Sequence, residues 1–294
     1  MKSYLHDFFE TFSYPEEARQ VLMQAYLRLE ENEEYHMAFQ RLLERYAENM
    51  CCDFELLLKE MKELSVCAGI HEYTGSLLLC ICLSEKLKEY YKEEGISEQI
   101  WFDSMCDLKW KLMECKCVYN IWGSFVAWWF DRFYDLSRFA IGKLQFETNP
   151  FKKYYKKNDV ELTPESIVIN VHIPRTGTKL DRESQQKAYR EAVEFFGARY
   201  QLEQIVFVCE SWLLFPKNKE ILSSASNLYA FISEFDMIEF GEFDDYKEVW
   251  RLFDTQYNGD AELLPQDTSF RRAYAEWIRK GEKTGWGYGV KVFR

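Results

Sequence analysis

Residues 167–211 read IVINVHIPRTGTKLDRESQQKAYREAVEFFGARYQLEQIVFVCES, and the hydrophobic period changes twice within them. Ile167, Ile169, Val171 and Ile173 alternate with Val168, Asn170 and His172, the period of two that a half-buried strand requires. After the loop Pro174-Arg-Thr-Gly-Thr-Lys-Leu180, the apolar positions shift to Ala188, Tyr189, Ala192, Val193 and Phe196, which lie on one helix face behind Asp181 as N-cap. Residues 205–211 return to strand. Strand, helix and strand in succession predict two parallel strands with a right-handed crossover, and ligands bind outside the carboxyl ends of such strands.

Upstream, Lys143, Gln145 and Glu147 alternate with Gly142, Leu144 and Phe146, which reads as another strand. Downstream, 237–243 reads as a strand, 246–253 and 268–280 as helices, and the terminal GWGYGVKVF as a strand or hairpin. Phe151-Lys-Lys-Tyr-Tyr-Lys-Lys157 reads as a solvated linker that could meet a nucleotide phosphate. A mixed sheet with covering helices follows.

The first half has a different grammar. No proline occurs between Pro15 and Pro150, and four glycines precede Arg138 whereas nine follow it. Ala18, Val21, Leu22, Ala25, Tyr26 and Leu29 share one helix face, and similar spacing predicts helices over 37–46, 53–66, 73–91, 99–114 and 119–136. The fold class is therefore α+β: an all-α helical bundle over 1–137, followed by an α/β domain with a mixed central sheet over 138–294. Trp110, Trp122, Trp128 and Trp129 fall within helical periods and read as core.

Asp plus Glu number 49 against 37 Lys plus Arg, a net charge of −12, which repels nucleic acid and anionic lipid surfaces. The amino terminus reaches acidic residues too early for a signal peptide, and the apolar runs are too short to span a bilayer, so a cytoplasmic location is expected. Nine cysteines include no C-x-x-C pair, and Cys80/Cys82 and Cys115/Cys117 lie two apart on predicted helices. Reduced thiols in a core, with no metal, are the expectation.

Three ionisable residues, Glu147, His172 and Glu210, read as standing at the carboxyl ends of the three clearest strands. Convergence there would give a proton acceptor of tuned pKa. The loop Arg175, Thr176, Gly177, Thr178 and Lys179 offers two cations, two hydroxyls and a glycine before a helix N-terminus, chemistry that suits a pyrophosphate. Its spacing matches neither the P-loop nor the dinucleotide fingerprint, and a plain strand-to-helix turn also explains it. A nucleophilic hydrolase would need Cys209 or Ser211 beside His172.

Four segments together, 138–147 (RFAIGKLQFE), 168–174 (VINVHIP), 207–214 (FVCESWLL) and 264–271 (LPQDTSFR), resemble a bacterial family of acyltransferase-domain proteins. That family pairs a helical N-terminal domain with a GNAT-like C-terminal domain. The resemblance implies transfer of an acyl group from a coenzyme A thioester, acetyl-CoA being the expected donor, to an amine of a small-molecule acceptor. It implies His172, Glu147 or Glu210 as base, a backbone N–H near His172 as donor to the thioester oxygen, and Tyr229 or Tyr288 as acid for the thiolate. The alternative is a non-catalytic ligand- or protein-binding module on a degenerate GNAT fold. The first reading needs a slot between the strands ending at His172 and Ser211; the second predicts that slot blocked.

Overall fold

A computed structural model describes residues 1–178 and 180–293. The chain forms two compact units, Met1–Phe139 and Ala140–Arg294.

The first unit is helical: α1 (Lys2–Thr11), α2 (Glu16–Glu31), α3 (Glu33–Glu48), α4 (Phe54–Cys67), α5 (Glu72–Glu93), α6 (Glu98–Tyr119) and the single turn α7 (Asp131–Tyr134). Capping explains several starts. Asn32, Asp53, His71 and Ser97 each accept an N–H from the first turn of the helix they precede, one of the donors a helix leaves unpaired. The centre is α5, whose residues 77–84 are buried on every side. Its approach to α4 depends on Gly75, where an added Cβ would stand 1.9 Å from Ser65 Oγ. The helix α1 is not announced by its charge-broken sequence, yet it buries Leu5, Phe8 and Phe9.

The expected single helix over 119–136 is not formed. Asn120 ends α6 in the left-handed conformation at φ 59°, and residues 122–124 turn back onto the start of α5. The Thr74 hydroxyl donates to the Trp122 carbonyl at 2.9 Å and Ser124 N–H to Tyr73 O at 2.9 Å, while Gly123 lies so close that a Cβ would meet Tyr73 carbonyl carbon at 2.4 Å. Short turns over Ala127–Phe130 and α7 complete the region. Trp128 is 56% exposed, so it is not the core residue its spacing suggests.

The second unit is built on a six-stranded sheet. Its strands are β1 (Arg138–Ile141), β2 (Leu144–Pro150), β5 (Ile167–His172), β6 (Val206–Ser211), β7 (Asp236–Glu242) and β8 (Gly285–Val292), with a separate hairpin of β3 (Tyr155–Lys157) and β4 (Val160–Leu162). The unit boundary falls inside β1, and the order across the sheet is β1-β2-β5-β6-β8-β7. Strands β5 and β6 pair in parallel; β2 with β5, β6 with β8 and β7 with β8 are antiparallel. Gly142 and Lys143 form the turn between β1 and β2 rather than strand, with Gly142 at φ 60°.

Helix α8 (Arg182–Tyr200) connects β5 to β6 and covers one sheet face, where Tyr189 meets Phe207 at 4.8 Å and Phe146 at 5.8 Å between ring centroids. The opposite face is covered at one end by residues read from sequence as a solvated linker. Phe151 is fully buried and Tyr155 nearly so, in a cluster with Val160, Leu162, Val168, Val206, Val208 and Val290. Three of the four lysines around them are engaged: Lys153 with Glu239, Lys156 with Glu161 and Lys157 with Asp236. That run leads into a hairpin with an apolar underside, and most of its cations are met by carboxylates.

Beyond β6 the chain forms the short α9 (Asn218–Ile221), α10 (Asn227–Ser233), α11 (Trp250–Phe253) and the longer α12 (Ser269–Arg279), capped by Thr268. Val249, Phe253, Ala261, Leu264, Tyr274, Ala275 and Ile278 bind α11 to α12 in a small core of their own.

Candidate functional site

The register decides which side chains share a face. Glu147 pairs with Asn170 and Gln145 with His172 across β2 and β5; Asn170 pairs with Val208 across β5 and β6; Glu210 pairs with Tyr288 across β6 and β8. Gln145, Glu147, Asn170, His172, Glu210 and Tyr288 therefore project from one face, beyond the end covered by the Phe151 cluster.

Glu147 is not at a carboxyl end. It lies mid-strand in β2, which continues to Pro150 and runs antiparallel to β5. That direction places it diagonally across from His172, and Glu147 Oε2 is 3.1 Å from His172 Nε2. The Glu147 side chain is 7% exposed and that of His172 17%. Asn170 Nδ2 lies 3.2 Å from the same ring nitrogen. With a proton on Nε2 that nitrogen donates to the Glu147 carboxylate, and Asn170 Nδ2, a donor only, stands beside it without a bond to it; the adjacent carboxylate stabilises the imidazolium once a second proton arrives.

Two acceptors on this face lack donors. Gln145 is almost fully buried, and its Oε1 and the Asn170 Oδ1 have no hydrogen-bond partner among the described residues. Together with Glu147 they make the surroundings of His172 rich in acceptors, an environment that suits a ligand bearing N–H or O–H groups. Sequence reading passed over both amides; the available signal was their alternation with core positions, Gln145 between Leu144 and Phe146 and Asn170 between Ile169 and Val171.

Glu210 is exposed at the end of β6, on the same face as His172 and opposite Tyr288. Burial, then the charges of Glu210 and Glu239, push the Tyr288 phenol up to about 12. It therefore holds its proton at neutral pH. Tyr229 lies on α10, with Lys219 Nζ 5.7 Å from its ring centroid.

Strands β5 and β6 are registered with each other over two pairs, Ile169 with Phe207 and Asn170 with Val208; toward His172 and Ser211 each keeps its other neighbour, β2 and β8, but not the parallel one. The backbone groups beyond Asn170 on this side of β5 are thus not taken up by parallel pairing.

The loop after β5 holds Arg175, Thr176, Gly177 and Thr178; Lys179 lies outside the described residues. Gly177 has φ 68°, which favours glycine, and the hydroxyls of Thr176 and Thr178 are 3.1 Å apart. Arg175 is ion-paired with Asp254. At the start of α8, Asp181 accepts from Ser184 N–H at 2.8 Å and lies 3.1 Å from Lys143 Nζ, so that helix terminus already holds a carboxylate.

Cys209 does not serve His172. It occupies an odd position of β6, on the face covered by α8, and burial followed by the Glu210 charge raises its thiol. The Ser211 hydroxyl accepts from Leu213 N–H at 3.1 Å. The hydrolase constellation is absent among the described residues.

The sequence profile of the GNAT-like C-terminal domain matches residues 138–291, and that of an N-acyltransferase N-terminal domain matches residues 3–136. The chain belongs to the GNAT-like C-terminal domain family. No curated protein matches it. Among solved structures, this GNAT-like chain is similar to an acyltransferase in complex with decanoyl-CoA and teicoplanin, at 17% identity and TM-score 0.77, over 98% of this chain and 87% of that one. A second, an acyltransferase in complex with decanoyl-CoA, gives 18% identity, TM-score 0.77 and the same coverages. A third, in complex with CoA and 10C-teicoplanin, gives 16% identity and TM-score 0.75, again over 98% and 87%. The organisation expected from the four quoted segments, a helical N-terminal part followed by a GNAT-like C-terminal part, is thus present. Among the described residues no helix is long and apolar enough to cross a membrane.

Proposed function

We propose that the protein is an N-acyltransferase that moves an acyl group from a coenzyme A thioester to an amine of a small acceptor. The observation that carries this reading is the largely buried Glu147–His172 pair, set on one sheet face where the parallel pairing of β5 and β6 ends. His172 is the base: it takes a proton from the acceptor ammonium, and Glu147 holds the ring and offsets the imidazolium charge. The freed amine attacks the thioester carbonyl carbon. A backbone N–H beyond Asn170 donates to the oxyanion that forms, and the tetrahedral intermediate collapses with loss of the coenzyme A thiolate. Tyr288, whose phenol keeps its proton at neutral pH, gives that proton to the thiolate, and the proton shed by the newly acylated nitrogen restores the phenol. The unpartnered Gln145 and Asn170 acceptors favour a nitrogen acceptor with several N–H groups over an alcohol. Glu210, exposed beside Tyr288, sets the local charge.

The loop with Arg175, Thr176, Gly177, Thr178 and Lys179 receives the phosphates of the donor, and a coenzyme A donor suits a cytoplasmic enzyme. Calorimetric titration with acetyl-CoA, octanoyl-CoA and decanoyl-CoA, with adenosine 3′,5′-bisphosphate as control, tests the reading. Micromolar binding that depends on the acyl thioester supports it and ranks the chain lengths, acetyl-CoA being the expected donor. No detectable heat at millimolar ligand would replace it with the non-catalytic module.

A further inference from the structure

Arg175 leaves β5 three residues after His172, and Asp254 ends α11 with its backbone in the left-handed region at φ 56°. One carboxylate oxygen of Asp254 takes Nη1 of Arg175; the other takes Nη2 of Arg271 at 2.6 Å. Arg271 is committed at every nitrogen, because its Nε donates to Leu252 O at 2.7 Å and its Nη1 to Asp267 at 3.0 Å. It is also fixed at the base of α12, next to the α11–α12 core.

Arg175 is different. Its side chain is 34% exposed and is held at Nη1 alone; Nε and Nη2 have no partner among the described residues. A guanidinium is planar, so fixing one terminal nitrogen to a rigid carboxylate sets the plane of the other two, the edge that binds a phosphate in bidentate fashion. Two guanidiniums share the single Asp254 carboxylate, and Asp267, the further carboxylate on Arg271, is 65% exposed and screened by water. The formal charges of the four groups cancel, and what the cluster leaves to offer is the donor edge of Arg175 at Nε and Nη2. An L-residue at positive φ carries a backbone cost that glycine avoids, and the charge of Asp254 offers a reason for its presence there.

We propose that Asp254, anchored by Arg271, is a positioning residue that orients Arg175 toward the phosphates of the donor. This rests on the donor being a coenzyme A thioester. The segment 264–271 and the loop at 175–178 thereby form one device, although almost eighty residues separate Arg175 from Asp254.

The test is calorimetric binding of CoA and of S-octanoyl pantetheine, which lacks phosphates, to the wild type, Asp254→Asn, Arg175→Ala and the double variant. Asparagine tolerates the left-handed backbone, which keeps Asp254→Asn folded, and melting curves verify this. Asp254→Asn is expected to weaken CoA binding about tenfold, the scale of a misaligned charge-assisted hydrogen bond. It should leave S-octanoyl pantetheine unaffected and add nothing in the Arg175→Ala background. Unchanged or tighter CoA binding, an equal loss for the phosphate-free ligand, or additive losses would overturn the positioning role while leaving acyl transfer intact. A wild type that binds no CoA would overturn the functional reading itself, and the positioning role with it.

Discussion

Glu147 Oε2 stands 3.1 Å from His172 Nε2 because β2 and β5 run antiparallel with Glu147 opposite Asn170, one diagonal step from the histidine. The pair is therefore a product of register and not of proximity along the chain. Removing either member should have unequal effects. His172→Ala is expected to lower kcat/KM by roughly 10²- to 10⁴-fold, the range of a lost general base. Glu147→Gln should cost less and change the pH profile, since the amide holds the ring but no longer offsets its charge. Release of CoA thiol from octanoyl-CoA in the presence of primary amines measures both; wild-type rates for His172→Ala would remove the histidine from the mechanism.

Cys209 faces α8, away from His172. Cys209→Ala should leave kcat/KM essentially unchanged in the same assay, against the hundredfold or larger loss at His172. A loss of comparable size at both positions would revive covalent catalysis.

Phe151 is fully buried in the cluster beneath the β3–β4 hairpin, and its ring stacks with that of Tyr288 at 6.2 Å between centroids. Truncation to alanine should destabilise the fold by about 3–5 kcal/mol. Urea unfolding measures this, and a change within about 0.5 kcal/mol, typical of surface sites, would restore the linker reading.

Asp181 caps α8, and its carboxyl lies well below the ordinary carboxylate range because it accepts from the Ser184 N–H, the Lys143 ammonium and the Ser184 hydroxyl. A folded value below the unfolded one stabilises the protein above the unfolded value, and that contribution is lost as pH falls through the folded one. Asp181→Asn should therefore melt lower than wild type at pH 7, and the two curves should approach each other as pH falls below about 3.9. A gap in Tm that stays constant from pH 7 to pH 2 would assign the effect to geometry instead.

What could be read from the sequence, and what could not, follows from the range of the interactions. The β5-α8-β6 unit was legible because each element carries its own period: Ile169 and Val171 against Asn170 and His172, then Ala188, Tyr189, Ala192 and Phe196. Residues 151–157 were misread because four lysines mask the fully buried Phe151 and the nearly buried Tyr155, whose partners Val168, Val206 and Val290 are remote in the chain. The turn at Asn120 was hidden within an aromatic run that fits a helix as well as a loop, and it is explained by remote contacts, the Trp122 and Ser124 backbone bonds to Thr74 and Tyr73 and the close approach of Gly123 to Tyr73. His172 could be chosen as a polar residue ending an apolar strand. Its pairing with Glu147 required knowing that β2 runs the other way, which no local pattern encodes. Asp254 carries no local signal at all, since its two guanidinium partners come from separate elements.

The enclosed centre of α5 also makes the first unit its own timekeeper. Cys80 and Cys82 sit where no solvent face exists, and burial raises both thiols, while Cys51, Cys67 and Cys117 are exposed. An alkylating reagent reaches the outer three at once but the inner two only when the helices separate. Mass accumulated at Cys80 and Cys82 over hours then records how often that unit opens, with the outer thiols as an internal reference for reagent strength.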